Sequence, residues 1–131
     1  MHALIDLVDK GGYPSWTCPG VLVRSDEQLE SLAGELADLS LVALDFPVFC
    51  DGRSYSNARI LRERFHFAGK LRAVGDVLRD PIFLKRRCGF DSFALRADRP
   101  ACAAASALQD FRLVYQQATI DPETPILARH R

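Results

Sequence analysis

Residues 41–76 read LVALDFPVFCDGRSYSNARILRERFHFAGKLRAVGD, and this stretch decides the fold. LVALDF, residues 41–46, is a continuous apolar run of strand length, the pattern of a strand covered on both faces. Pro47 ends it or confines its continuation to a sheet edge. After a turn at Asp51 and Gly52, Ser54 or Ser56 can cap a helix. Ala58, Ile60, Leu61 and Phe65 mark its buried side, with Arg59, Arg62 and Glu63 elsewhere on its surface. Gly69 permits a break, and KLRAV, residues 70–74, is a short strand. Strand, helix, strand is the unit of a parallel sheet, because parallel neighbours need a long crossover.

The same alternation extends both ways. Upstream, VLVR is a strand and Ser25 caps a helix with Leu29, Leu32, Ala33 and Leu36 at three- and four-residue spacing. Downstream, Gly75 and Asp76 turn the chain into a helix whose core face is Val77, Leu78, Phe83 and Leu84. Asp76 is its natural cap, or the helix starts at Asp80 because Pro81 is tolerated only in a first turn. Gly89 ends it, FDSFAL gives a fourth strand, and an alanine-rich run from Pro100 to Tyr115 gives a last helix. The fold class is therefore α/β, with four alternating β/α units and a mainly parallel sheet. An open, doubly wound sheet is preferred over a curved half-barrel. Both forms place ligand sites at the C-terminal strand ends, here Phe46–Arg53, Gly75–Asp76 and Arg96–Arg99. The 131 residues fit a single domain. Residues 1–20 form an irregular lead-in with a short strand, 21–118 the core, and 119–131 a mobile tail.

A composition of 48% hydrophobic and 26% charged residues is that of a soluble globular protein. No apolar run approaches the roughly 18–20 residues of a membrane span, and the acidic N-terminal stretch is unlike a signal peptide, so the expected compartment is the cytoplasm. Cys18, Cys50, Cys88 and Cys102 include no CxxC pair, which argues against a metal site. No flavin loop, P-loop or GxGxxG is present, and no cofactor is expected. Charge is uneven: residues 1–50 carry 2 Lys+Arg against 8 Asp+Glu, and residues 51–99 carry 12 against 6. Such asymmetry bears on partners. The neutral total, without a basic segment interleaved with aromatics, argues against nucleic acid.

Two groupings are candidate sites. Arg53, Ser54 and Ser56 at a helix start, joined by Arg99, could grip a small anion, since helix N–H groups and a guanidinium both favour negative charge. Asp51 or Asp76 would then be the acid–base group, and Cys88, beside Lys85, Arg86 and Arg87, is a weak third candidate. The second grouping is a docking face for an acidic protein, built from Arg59, Arg62, Arg86 and Arg87 on two helices. An ordinary turn and cap, or a solvated basic face, explains the same residues without function. A sheet edge in so short a chain also suits a homodimer.

The ordered blocks DGRSYSNARILRER, GKLRAVGDVLRD and RRCGFDSF, over about residues 20–96, resemble a small bacterial family known as domain of unknown function 934. Its members are described as uncharacterised or as candidate oxidoreductases. Their genes tend to lie beside those of siroheme-dependent sulfite reductase, which implies a setting in sulfate assimilation. The resemblance thus implies an accessory protein of sulfite reduction, docking to sulfite reductase or its electron donor. A small-anion- or nucleotide-sulfate-binding enzyme or sensor is the alternative. Ser54 stands where the family usually has glycine, and Pro81 where it has glutamine; both departures weaken ligand binding at their turns.

Overall fold

The computed structural model describes residues 20–95, 105–109 and 118–119. The strands are β1 (Gly20–Val23), β2 (Leu41–Phe46), β3 (Lys70–Gly75) and β4 (Ser92–Phe93). The helices are α1 (Arg53–Glu63) and α2 (Ile82–Arg87), and two 3-10 turns, Leu29–Leu32 and Leu36–Asp38, join β1 to β2. All strand pairs are parallel and the order is β1-β2-β3-β4.

Strand alternation assigns the two faces of this sheet. Val21, Val23, Val42, Leu44, Phe46, Leu71 and Ala73 share one face and cluster with Leu29 and Leu32 of the first connection and Ala58 and Leu61 of α1. Each fully buried aliphatic side chain there contributes about 1.5–3 kcal/mol. On the opposite face Leu22, Ala43, Arg72 and Ser92 lie in register across all four strands. Ala43 is 1% exposed, so β2 is covered on both faces, as its unbroken apolar run predicts.

An open, all-parallel sheet alternating with helices is the architecture expected from the sequence. The expected double winding is not adopted by the described strands. Each connection steps to the next neighbour, so the order never reverses, and the first two connections pack on the same face.

Three local expectations are corrected. The first connection forms 3-10 turns instead of a helix from Ser25, because Ser31 Oγ returns to the Gln28 carbonyl at 2.8 Å and Gly34 interrupts the run. Ser25 is itself buried. In α1 neither Ser54 nor Ser56 is the cap: Gly52 holds that position, and Asp51 Oδ1 takes the Arg53 N–H at 3.0 Å in an Asx turn. In α2 the inward positions are Ile82 and Lys85, while Leu84, expected in the core, is 49% exposed. Pro81 sets this register by standing just before the helix, where its carbonyl accepts the Lys85 N–H at 2.9 Å.

Residues 1–19, with the lead-in and Cys18, lie outside the described residues, as do Arg96, Arg99 and Cys102. Of the last expected helix, 105–107 are helical. Thr119, placed by the sequence at the start of a mobile tail, donates its N–H to the Arg87 carbonyl at 3.1 Å and its hydroxyl to Glu63 at 2.8 Å.

Candidate functional site

At the C-terminal end of β2, Asp51 and Arg53 form a forked pair: Nε reaches Oδ1 at 3.0 Å and Nη2 reaches Oδ2 at 2.7 Å. The Arg53 hydrogen bonds, helped by Ser25, hold the Asp51 carboxyl well below the usual carboxylate range. The guanidinium is 60% exposed, but its fork already grips a carboxylate. Ser54 is fully buried and donates to the Asp45 carbonyl at 2.6 Å, so it fastens α1 to β2. Ser56 is exposed. Asp76 accepts the Phe49 N–H at 3.1 Å, which ties the loop after β2 to the loop after β3. Of the expected anion-site residues, the structure joins Arg53 to Asp51 and turns Ser54 inward.

Sequence reasoning passed over Asp45 in this region. Partial burial raises its carboxyl, opposed by the nearby Arg24 charge. An acid within a continuous apolar strand, near its C-terminal end, was the available signal.

The second grouping lies between α1 and α2. Lys85 is fully buried, with Nζ 4.1 Å from the Phe46 ring centroid, 4.8 Å from that of Tyr55, and 3.0 Å from the Tyr55 hydroxyl, to which it donates. Removal from water pushes its ammonium down to about 8, with Asp76 and Cys88 opposing. Cys88 is half-buried and desolvation raises its thiol, while Arg59 and Arg87 pull it down. Cys88 is thus not poised as a thiolate nucleophile. The 3.0 Å hydrogen bond from Lys85 of α2 to the Tyr55 hydroxyl of α1 makes these helices neighbours.

The four arginines of the expected docking face have different tasks. Arg62, 14% exposed, is an internal clamp: Nη1 donates to the Phe67 and Gly69 carbonyls at 2.6 and 2.8 Å, Nε to the Gly89 carbonyl at 3.1 Å, and Nη2 to Asp91. Arg59 pairs with Glu63 four residues on, both about half exposed, an arrangement worth little in water. Arg87 gives its carbonyl to Thr119. Arg86 is exposed on α2, two residues from the exposed Leu84.

Elsewhere, Val48 and Phe49 are about half exposed on a turn closed by the Asp51 N–H to the Val48 carbonyl at 3.0 Å, and Cys50 is exposed beside them. At the opposite end of the sheet a cavity of about 360 Å³ opens between Leu36 and Phe65–Gly69. His66 on its wall has φ 52°, the left-handed residue that ends α1, with the Phe67 N–H on the Leu61 carbonyl at 2.9 Å. Among the described residues, no helix is long and apolar enough to cross a membrane, and no group of three or more His, Cys, Asp or Glu is placed to hold a metal ion.

A search of curated proteins finds no match. The family model described as a bacterial protein of unknown function, DUF934, matches residues 20–126 and so spans every described element, and the chain belongs to that family.

Proposed function

We propose that this protein is a non-catalytic accessory factor of assimilatory sulfite reduction in the cytoplasm, docking an acidic surface of sulfite reductase or of its electron donor through the outer side of α1 and α2. The observation that carries the reading is that an aliphatic side chain, Leu84, and the guanidinium-bearing Arg86 of α2, and Arg59 of the neighbouring α1, all reach solvent. An exposed apolar anchor with arginines nearby has the composition of a protein interface: burial of the apolar group supplies affinity, and guanidinium charge supplies steering toward carboxylates. Arg59 can exchange its exposed Glu63 partner for a partner carboxylate at small cost, since both are hydrated in the free protein. The sulfur-assimilation setting rests on the gene neighbourhood implied by the family resemblance. The Asp51–Arg53 pair supports docking over anion binding, because an anion must displace a carboxylate already held by two short hydrogen bonds.

The test is co-elution of the protein with the sulfite reductase of the same organism in size-exclusion chromatography at about 50 and 300 mM salt, the range over which Debye screening becomes strong. Co-elution that weakens with salt supports the proposal. Separate elution at low salt, from both the reductase and its electron donor, refutes it.

A further inference from the structure

Thr119 ties together the last residues of the two helices that carry the docking face. Its N–H donates to the carbonyl of Arg87, which ends α2, at 3.1 Å, and its hydroxyl donates to Oε1 of Glu63, which ends α1, at 2.8 Å. The same Oε1 accepts Arg59 Nη2 at 3.1 Å and Nε at 3.3 Å. Ala118, one residue earlier, is buried, so the tie is anchored in the body of the protein. An exposed ion pair is normally weak because two long side chains must be ordered to make it. Here part of that ordering is done before Arg59 arrives, since a hydroxyl held through its own main chain already fixes the Glu63 carboxylate. That hydroxyl is the first cause, and Arg59 the second, that keeps the Glu63 carboxyl below its ordinary range. Glu63 thus holds on Arg59 the same chemical group that an acidic partner would have to put there.

We propose that Glu63, ordered by Thr119, is a built-in competitor at the docking face: it occupies Arg59 in the free protein, and an acidic partner binds by taking that guanidinium from it. This rests on the docking reading above and adds what sets its selectivity. A surface offering one isolated carboxylate gains nothing by the exchange, because one ion pair is traded for another. A surface with several carboxylates converging on Arg59 and Arg86 does gain, so the competitor filters partners by charge density. The cost to the right partner stays small, since Arg59 and Glu63 are both about half exposed. Glu63 and Thr119 act through Arg59 and are positioning residues.

The test is the dissociation constant of the complex with the organism's sulfite reductase, or with its electron donor where the reductase does not bind, by calorimetry at fixed low salt. The proteins compared are wild type, Glu63→Gln, Thr119→Val and Thr119→Ser, with Glu63→Gln repeated in an Arg59→Ala background. Glu63→Gln should tighten binding about threefold and Thr119→Val about twofold, the scale of one exposed ion pair. Thr119→Ser keeps the hydroxyl and should match wild type. With Arg59 already removed, the gain from Glu63→Gln should disappear. A gain that persists without Arg59 would be plain repulsion between Glu63 and the partner and would overturn the inference, as would an unchanged affinity in Glu63→Gln; both leave docking standing. No complex with any of these proteins overturns docking and competitor together.

Discussion

Lys85 donates a 3.0 Å hydrogen bond to the Tyr55 hydroxyl across the seam between α2 and α1, with its ammonium on the Phe46 ring. Sequence pattern had assigned the buried place in this turn to Leu84. The exchange makes α2 a helix with a cation inside and an aliphatic residue outside.

Stability should therefore rise with pH where most proteins are flat. The folded form holds Lys85 down at about 8 against an ordinary 10.5, so between these values the unfolded chain binds more protons and rising pH favours the fold. Below about 8 both states are charged and the contribution is constant. Denaturant unfolding at pH 7 and pH 9.5 should show wild type gaining about 1–2 kcal/mol. Lys85→Met should lack that gain; an equal gain in the variant would place the titration elsewhere.

Arg62 and Arg86 test whether arginines of one sequence block do the same work. Arg62→Ala removes the guanidinium donor from the Phe67, Gly69 and Gly89 carbonyls and leaves Asp91 with the Leu71 N–H but no counter-charge, and should cost about 3 kcal/mol in urea unfolding. Arg86→Ala should stay within about 0.5 kcal/mol. A loss at Arg86 as large as at Arg62 would contradict the division between clamp and surface.

Gly75 and Gly34 form a second contrast. Gly75 has φ +90°, and an added Cβ would lie 2.5 Å from the Phe46 carbonyl oxygen and 2.6 Å from Asp45 Oδ1. Gly75→Ala should lower stability by about 2–4 kcal/mol, through both backbone strain and collision. Around Gly34 nothing lies within 4 Å, and Gly34→Ala should gain about 0.5 kcal/mol by restricting the unfolded chain. Thermal melts of the two variants check the pair.

How far the sequence could be read follows from where its signals were local. The unit from Leu41 to Gly75 was legible because LVALDF and KLRAV are unbroken strand-length runs around a helix with a clear apolar stripe. The buried roles of Arg62 and Lys85 were not, because charge pattern alone assigns such residues to the surface. Several of their partners, Gly89, Asp91 and Tyr55, lie 27–30 residues away. The winding was also hidden, since alternation fixes that strands are parallel and leaves open on which side of a strand the next one adds. Ser54 was correctly placed at the start of α1, but its 2.6 Å bond to the Asp45 carbonyl is tertiary.

The Asp51–Arg53 fork makes the anion question answerable by mutation. In wild type the guanidinium is occupied, so sulfite and sulfate should raise the melting temperature no more than in Arg53→Ala. Asp51→Asn removes the competing charge and should strengthen the sulfate response several-fold. A wild-type response abolished by Arg53→Ala would restore the strand ends as a ligand site.

The most direct measurement of the docking claim is the affinity of the organism's sulfite reductase for wild type, Leu84→Ala, Arg86→Glu and Arg59→Glu at low salt. The account predicts a salt-sensitive complex that Leu84→Ala weakens about tenfold and each charge reversal weakens at least as much, with folding intact. A complex of unchanged affinity in all three variants would contradict it.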